Sequence, residues 1–299
     1  MKAVTFHRTG DPEVLALAEV PELPLGPQDI RVTVTAAAVN PVDLKTRSGF
    51  LTMNLTYPAV PGWDVSGVVT ETGSEVTRFA VGEQVIGMIA QPVHRYGTYA
   101  EQVTADARLF ARAPAGVPLE EAAALPLAGL TAVQTLAKLT LPPGAPVLVT
   151  GAAGAVGRIA VQLLLADGHP VDALARTGDT EPLRALGVGT VHTRPEDLPH
   201  ATHTAVVDTA GVAAAIRAVA DGGQFVAIDD NPQPAPERGI TPRKSYVDEN
   251  GDQLQTLSDL ITAGRLTVPA GRRYPLADAA RAHHDFGAGG LRGKVLLLA

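Results

Sequence analysis

The fold of this chain is decided by residues 147–157, which read VLVTGAAGAVG. The apolar run predicts a buried strand that ends at Thr150, and the small residues after it predict a tight turn into a helix that begins near Ala155. Backbone N–H groups at such a turn, together with the positive end of the helix dipole, can bind a pyrophosphate. The pattern therefore predicts a dinucleotide site, although glycines also mark plain strand-to-helix turns. Its predicted residues are Gly151, Ala152, Ala153, Gly154, Ala155, Val156 and Gly157.

The end of the next expected strand indicates which dinucleotide is bound. About 20 residues past the turn, an acidic residue would bind the ribose hydroxyls of NAD, whereas an arginine would accept the 2′-phosphate of NADPH. Arg176 stands there, followed by Thr177, and favours NADPH. Arg194, after the third expected strand, is a second candidate for the same phosphate. For both arginines the alternative is a solvated side chain without a ligand.

Helix and strand signals alternate around this turn from about residue 118 onward, which is typical of a doubly wound α/β domain with a parallel sheet. Asp208, Thr209 and Ala210 end one of the strands and are expected to border the nicotinamide ribose. Residues 231–243 are rich in Pro and charge and predict a loop, a candidate dimer contact or lid. The other expected strands are 170–175, 190–192, 205–208 and 224–228, and the expected helices lie within 120–139, 156–166 and 213–220.

The first 116 residues have a different texture, with short β-rich runs separated by Gly and Pro. In residues 30–35, IRVTVT, apolar and polar side chains alternate, which predicts antiparallel strands with one buried and one solvated face. A helical period returns at 254–266, and a last apolar strand is expected at 294–298. The fold class is therefore α/β. The expected domains are a β-rich one of residues 1–116 and 250–299 and a doubly wound one of residues 117–249.

Composition excludes several classes of function. The chain has 299 residues, a net charge of −7 and a mean hydropathy of +0.12, which is ordinary for a globular protein. The lack of a long basic run argues against a surface for nucleic acid or an anionic membrane. The absence of cysteine excludes disulfides, thiolate catalysis and thiolate zinc ligands. No apolar stretch reaches the roughly 18 residues of a membrane span and no signal-peptide core is visible, so a cytoplasmic location is expected.

Four further motifs, together with the glycine turn, resemble the medium-chain dehydrogenase/reductases in their zinc-independent quinone oxidoreductase (zeta-crystallin-like) branch. They are AAAVNPVD at 36–43, PGWDVSGVV at 61–69, VGEQV at 81–85 and LPLAGLTA at 125–132. The resemblance spans nearly the whole chain. It implies a GroES-like catalytic domain that is interrupted by a Rossmann domain, an active site in the cleft between them, and a homodimer.

The resemblance also implies an activity, NADPH-dependent hydride transfer to a conjugated, electron-poor acceptor, with a quinone as the leading candidate. The closest alternative is an enoyl reductase that acts on an α,β-unsaturated carbonyl, for example in secondary metabolism. A third hypothesis, of another class, is an NADPH-binding sensor or structural protein with little catalysis. The sequence does not separate the first two.

Two departures from the family pattern concern the chemistry. Zinc-dependent relatives carry a Cys near the position of Asn40 and a His–Glu pair where this chain has Trp63 and Asp64, so no metal is expected. Many quinone reductases carry a Tyr where this chain has Lys45, which leaves the proton donor open.

Reduction of a conjugated acceptor needs a group that stabilises the developing oxyanion and a source of one proton. Asn40 is predicted to donate its side-chain amide to the oxyanion; a turn-forming Asn before Pro41 is the alternative. Lys45 is predicted to donate the proton or to direct its charge at the enolate; a solvated surface Lys is the alternative. The predicted substrate residues Phe50, Met53 and Tyr57 belong to an apolar stretch, for which core packing is the alternative. Tyr96 is a further substrate candidate, because its segment resembles a family strand that faces the cleft.

Two other sites carry expectations. Thr131 resembles the family residue whose hydroxyl lies beside the nicotinamide and ribose; otherwise it is a helical Thr that bonds its own backbone. His283 and His284 are expected on a helix near the surface, and neither has the spacing of a metal ligand.

Overall fold

The computed structural model describes residues 1–228 and 233–299. They form two compact units, one of Met1–Leu127 with Glu249–Ala299 and one of Ala128–Asp248. The chain leaves the first unit after residue 127 and re-enters it at residue 249, whereas the sequence pattern places these crossings after residues 116 and 249. Among the described residues, no helix is both long and apolar enough to cross a membrane.

The chain begins with the strands of the first unit. These are β1 (Lys2–Thr5), β2 (Ala16–Glu19), β3 (Asp29–Ala38), β4 (Asp64–Thr72), β5 (Gln84–Met88), β6 (Gln102–Asp106) and β7 (Phe110–Arg112). Helix α1 (Pro41–Ser48) follows β3, and α2 (Leu119–Ala122) and α3 (Pro126–Leu136) follow β7. Ile30, Val32 and Val34 of β3 are buried while Thr33 is exposed, which confirms the alternation predicted for this strand.

The second unit contains a parallel sheet. Its strands and helices are β8 (Val147–Thr150), α4 (Ala155–Ala166), β9 (Val171–Leu174), α5 (Thr180–Arg184), β10 (Val191–His192), β11 (His203–Asp208), β12 (Val219–Ala227) and β13 (Arg243–Lys244). In the described residues the strand order is β10-β9-β8-β11-β12-β13, all parallel. The order reverses at β8, so the turn after β8 lies at the switch point where doubly wound sheets bind dinucleotides. The predicted doubly wound sheet is confirmed.

The chain then returns to the first unit with α6 (Gly251–Thr262), β14 (Ala270–Pro275), α7 (Ala279–Ala288) and β15 (Lys294–Leu298). The larger sheet of this unit has the order β14-β15-β3-β4-β5-β7, and β6 also pairs with β3. β1 and β2 form a separate antiparallel pair. β15 pairs antiparallel with β3, with Leu296 opposite Ala38. The expected antiparallel character holds except at β14 and β15, which are parallel.

Two elements differ from the sequence prediction. The helix expected at residues 213–220 is a 3-10 helix, Ala213–Ala218, because Val219 already pairs with His203 of β11 and leaves too few residues for two α-helical turns. The loop expected at residues 231–243 begins outside the described residues, since 231 and 232 are not among them. From residue 233 it contains a turn closed between Glu237 and Ile240 and leads into β13.

Candidate cofactor site and polar centre

The glycine turn joins β8 to α4 in the second unit. Gly151 has a φ of +59°, and a Cβ there would lie 2.7 Å from the Thr209 hydroxyl oxygen. A Cβ on Gly157 would overlap the carbonyl oxygen of Gly151, so α4 can approach the turn this closely only with glycine at that position. Gly154 precedes α4 and no side chain caps the helix, which leaves its first N–H groups available to an anion.

The predicted residues of this turn differ in exposure. Gly154 is exposed, whereas Ala152 and Gly157 are buried. The half-buried members are Gly151, Ala153, Ala155 and Val156. An anion at this turn would therefore meet backbone around Gly154 rather than side chains.

Hydrogen bonds to Asp208 join the loop after β11 to the end of β8. The Thr150 hydroxyl donates to Asp208 Oδ1, which also accepts the N–H of Val212 at 3.0 Å and of Ala210 at 3.3 Å. Thr209 Oγ1 donates to the Thr150 carbonyl oxygen at 2.7 Å. Asp208 is buried and its Oδ1 atom is occupied by these contacts, so its predicted place beside a ribose stays a prediction. Half-buried Thr209 and exposed Ala210 form the surface there.

The two candidate phosphate-binding arginines stand in different surroundings. Arg176 is exposed two residues past β9, beside β8 in the sheet, and is followed by exposed Thr177 in a short 3-10 helix. Its guanidinium makes no ion pair with any residue in the described part of the chain. Arg194 instead binds Asp197 through two hydrogen bonds of 2.9 and 2.7 Å. Arg176 is therefore the better placed of the two for an additional phosphate.

Thr131 lies on α3 and is half-buried. It interacts with at least one other group of the protein. Its predicted place beside the cofactor stays a prediction.

The first unit contains a buried group of three polar side chains, Asn40, Asp64 and Lys294, which we call the polar centre. Asp64 Oδ2 accepts hydrogen bonds from Asn40 Nδ2 at 2.8 Å and from Lys294 Nζ at 2.9 Å. Lys294 Nζ also donates to Asn40 Oδ1. Asp64 Oδ1 accepts the N–H of Leu127, in the first turn of α3, at 2.6 Å. The centre thus joins the ends of β3, β4 and β15 to the start of α3.

This arrangement corrects the role predicted for Asn40. Its Nδ2 group donates one hydrogen to Asp64 and the other to the carbonyl oxygen of Ala38 at 3.2 Å. An amide has only two such hydrogens, so none is left for a substrate oxyanion.

A second polar group adjoins the polar centre through the start of α1. Asp43 Oδ2 accepts the N–H of Asn40 at 2.8 Å and the Tyr99 hydroxyl at 3.2 Å. The same hydroxyl lies 3.1 Å from Nε2 of His283. Burial raises the pKa of Asp43 to about 7, and burial together with the charge of Arg47 lowers the pKa of His283 to about 3. At neutral pH the imidazole is therefore uncharged.

His283 corrects a prediction, because it is buried whereas its neighbour His284 is exposed. Both lie on α7, whose inward face also carries buried Ala279 and Ala282. Residues three and four positions apart share a helix face, and this places His283 in the core.

The predicted substrate residues are not equally open. Phe50 is 65% exposed and Tyr57 is exposed, while Met53 is half-buried and accepts the Thr46 hydroxyl at its sulfur at 3.3 Å. Tyr96 is buried in the core, with the Arg95 guanidinium 4.3 Å from its ring centroid. These core contacts favour a packing role for its ring, and its predicted contact with a substrate stays a prediction.

Lys45, the second predicted catalytic residue, is half-buried on α1. Its Nζ lies 5.8 Å from the centroid of the Phe50 ring. The two side chains therefore form one feature of the surface, a cation beside an exposed aromatic ring.

Sequence reasoning missed Lys294, Tyr99 and His283 as members of polar groups. One signal was available: Asp64 and Lys294 are each the first residue of a strand, and they carry opposite charges. Within the described residues, no group of three or more His, Cys, Asp or Glu side chains is placed to hold a metal.

Comparison with known proteins gives two family matches. Residues 26–115 match the alcohol dehydrogenase GroES-like domain, and residues 190–297 match the family described as zinc-binding dehydrogenase. An NADPH-dependent alkenal/one oxidoreductase, chloroplastic, from Arabidopsis thaliana is 32% identical over 281 residues, covering 89% of this chain and 70% of that protein.

Two solved structures share the fold over the full chain. An NAD-dependent alcohol dehydrogenase is 30% identical with a TM-score of 0.91, and 100% of each chain is covered. The quinone oxidoreductase from Coxiella burnetii is 28% identical with a TM-score of 0.88, covering 100% of this chain and 99% of the other.

Proposed function

The chain belongs to the medium-chain dehydrogenase/reductase superfamily, and on that premise we propose that it is an NADPH-dependent oxidoreductase that transfers hydride to a conjugated, electron-poor acceptor. The observation that carries the proposal is the glycine turn after β8, where α4 starts at the switch point of the sheet without a side-chain cap from Gly154, and Arg176 follows β9, the strand next to β8. A pyrophosphate suits the start of α4, and a 2′-phosphate suits the guanidinium of Arg176.

The residues present fit this cofactor. We assign the backbone of Gly151 to Gly157 to the pyrophosphate. We assign the exposed guanidinium of Arg176 to the 2′-phosphate, with Thr177 next to it in the sequence. Bound NADPH supplies the hydride from its nicotinamide. Thr131 is the residue that we place near the ribose and nicotinamide.

For the acceptor, we propose that Lys45 donates the proton or stabilises the negative charge of the enolate with its ammonium group. Asn40 has no free amide hydrogen, so a second donor is required. Lys45 stands beside exposed Phe50, and a cation next to an aromatic ring suits a flat molecule that gains negative charge on oxygen. Met53 and Tyr57 complete the proposed apolar surface.

A quinone is the first acceptor that we propose, in line with the similarity to the Coxiella burnetii quinone oxidoreductase. An enone is the second, because the Arabidopsis thaliana relative is named for alkenals and alkenones. The experiment is steady-state oxidation of NADPH and NADH against a panel of benzoquinones and naphthoquinones and a panel of alkenals and alkenones. We expect turnover with NADPH in at least one panel. Tight NADPH binding without turnover in either panel would instead support a sensor or structural role.

The residues at the positions of the zinc ligands of zinc-dependent relatives do not suit zinc in this chain. Asn40 and Asp64 offer only oxygen atoms, their convergent oxygens already bind the Lys294 ammonium, and the chain has no cysteine. We therefore propose a zinc-independent reaction and derive no step through a metal. Activity that survives dialysis against a chelator is the expected result.

A homodimer and a cytoplasmic location belong to the same proposal. β13 is an edge strand of the described sheet, and Tyr246 just after it is 71% exposed, which favours a partner at this edge. Light scattering after size-exclusion chromatography tests the dimer, and cell fractionation tests the location. The net charge of −7 gives no support to nucleic acid as a partner.

A further inference from the structure

The polar centre holds a cation inside the first unit. Asn40, Asp64 and Lys294 are all buried, with 3%, 0% and 4% of their surfaces exposed. An ion pair removed from water is unfavourable unless its hydrogen bonds are satisfied. Here both oxygens of Asp64 and both polar atoms of the Asn40 side chain have partners, and the Lys294 ammonium donates to one oxygen of each residue.

Two oxygens from different segments converge on this one ammonium. Asn40 Oδ1 comes from the residue before α1, and Asp64 Oδ2 comes from the first residue of β4. Without Lys294, Asp64 would be left as a buried carboxylate without a cation, and the Asn40 carbonyl would lose its partner. The Lys294 ammonium is therefore the group that joins the side chains of Asn40 and Asp64.

The same contacts fix the start of α1. Asn40 precedes the helix, and its backbone N–H donates to Asp43 Oδ2 one turn further on. Its side chain is held at three points, by Lys294, by Asp64 and by the Ala38 carbonyl oxygen. Lys45 lies on the same short helix, Pro41–Ser48, so the position of this helix determines where the Lys45 ammonium stands.

We propose that Lys294 is a built-in cation that occupies the space between Asn40 and Asp64 and acts as a positioning residue for the reduction, because it fixes the start of the helix that carries Lys45. The expected effect of Lys294 on turnover rests on the proposed function. The cation site itself does not depend on that function.

The test removes the ammonium and supplies it again as a small molecule. Lys294→Ala deletes the side chain beyond Cβ, whose shape and charge correspond to n-propylammonium. The variant is measured alone, with n-propylammonium chloride, and with tetramethylammonium chloride at the same ionic strength. Tetramethylammonium carries the same charge but has no N–H group to donate, so it is the matched control.

Two readouts are needed. In turnover with the best acceptor, we expect kcat to fall by about tenfold or more, with KM for NADPH changed by less than about twofold, and n-propylammonium to restore most of kcat. In thermal unfolding, we expect n-propylammonium to raise the Tm of the variant in a saturable way and to leave the Tm of the native protein unchanged. Tetramethylammonium should do neither.

Other results would overturn the proposal. A folded Lys294→Ala variant with native kcat shows that Lys294 does not position the reaction, and equal effects of the two ammonium ions show that no cation site exists. If native protein turns over no acceptor, the proposed function fails, while the Tm readout still decides on the cation site.

A second variant covers the case in which Lys294→Ala does not fold. Lys294→Met combined with Asp64→Asn removes both charges and keeps the volume of the centre. We expect this pair to fold and to show the same loss of kcat at a nearly unchanged KM for NADPH. Native kcat in the folded double variant would contradict the positioning role.

Discussion

Two buried groups on either side of the Tyr99 hydroxyl should give the first unit opposite responses to pH. Burial raises the pKa of Asp43 from 3.8 to about 7, and burial lowers the pKa of His283 from 6.5 to about 3. The other charged groups that act on them are Asp64 and Lys294 on Asp43, and Arg47 on His283. Between about pH 4 and 6.5 the folded protein keeps Asp43 protonated and His283 neutral, while the unfolded chain does the reverse.

The sign differs for the two groups. The stabilising contribution of Asp43 is fully present below pH 3.8 and is lost as the pH rises to about 7, because the folded state holds a proton that the unfolded state releases. The contribution of His283 is present above pH 6.5 and is lost as the pH falls toward about 3. Each slope is about 1.4 kcal/mol per pH unit, which amounts to about 4 kcal/mol for Asp43 and about 5 kcal/mol for His283 over the full windows. The slopes therefore nearly cancel in the native protein.

Single substitutions should expose each slope. Asp43→Asn keeps an oxygen for the Asn40 N–H, and His283→Gln keeps an N–H for the Tyr99 hydroxyl, so each removes one titration with little change in contacts. Urea unfolding is followed by the fluorescence of Trp63, the single tryptophan, which is buried in the same unit. Relative to native protein, the free energy of unfolding of Asp43→Asn should rise with pH between 4 and 7, by about 1.4 kcal/mol per unit, and that of His283→Gln should fall. Differences that do not change with pH would refute the reasoning.

Further predictions concern the second unit. Arg176→Ala should raise KM for NADPH about tenfold and leave KM for NADH unchanged, whereas Arg194→Ala, whose guanidinium already binds Asp197, should change neither. Gly157→Ala should abolish NADPH binding in calorimetry, because its Cβ would overlap the Gly151 carbonyl oxygen and displace α4; binding at native affinity would contradict this. Thr150→Val should lower the free energy of unfolding by about 1–3 kcal/mol, measured by far-UV circular dichroism, since Asp208 Oδ1 loses the hydroxyl; Thr150→Ser should restore it.

The features that sequence predicted well are local ones. The strand, turn and helix around Gly151 follow from neighbouring residues alone, since an apolar run, a positive φ and a helix start are set within a few positions. The alternation of Ile30, Val32 and Val34 likewise needs only the period of a strand.

The polar centre was not predicted because its members are far apart along the chain. Asn40, Asp64 and Lys294 meet only when β15 pairs with β3 and β3 pairs with β4. A sequence without the sheet order does not show which charged strand ends face one another. The same long-range pairing decided that Asn40 uses its amide inside the protein instead of at a substrate.

The sequence also did not predict which aromatic and imidazole side chains are buried. Tyr96 lies in a segment without regular structure, where no periodicity indicates which side chains point inward. His283 lies on a helix whose inward face is set by its packing partners, and alanines at positions 279 and 282 gave only a weak apolar signal.

The position of β15 has a consequence for synthesis of the protein on the ribosome. This strand fills the gap between β14 and β3 and brings Lys294, yet it follows the whole second unit in the chain. The second unit is continuous in the chain, whereas the first unit lacks the strand between β14 and β3 until residues 294–298 have been made. During that interval the edge of β3 that pairs with β15 is open and Asp64 lacks the Lys294 ammonium, and an open strand edge is a template for pairing with another chain.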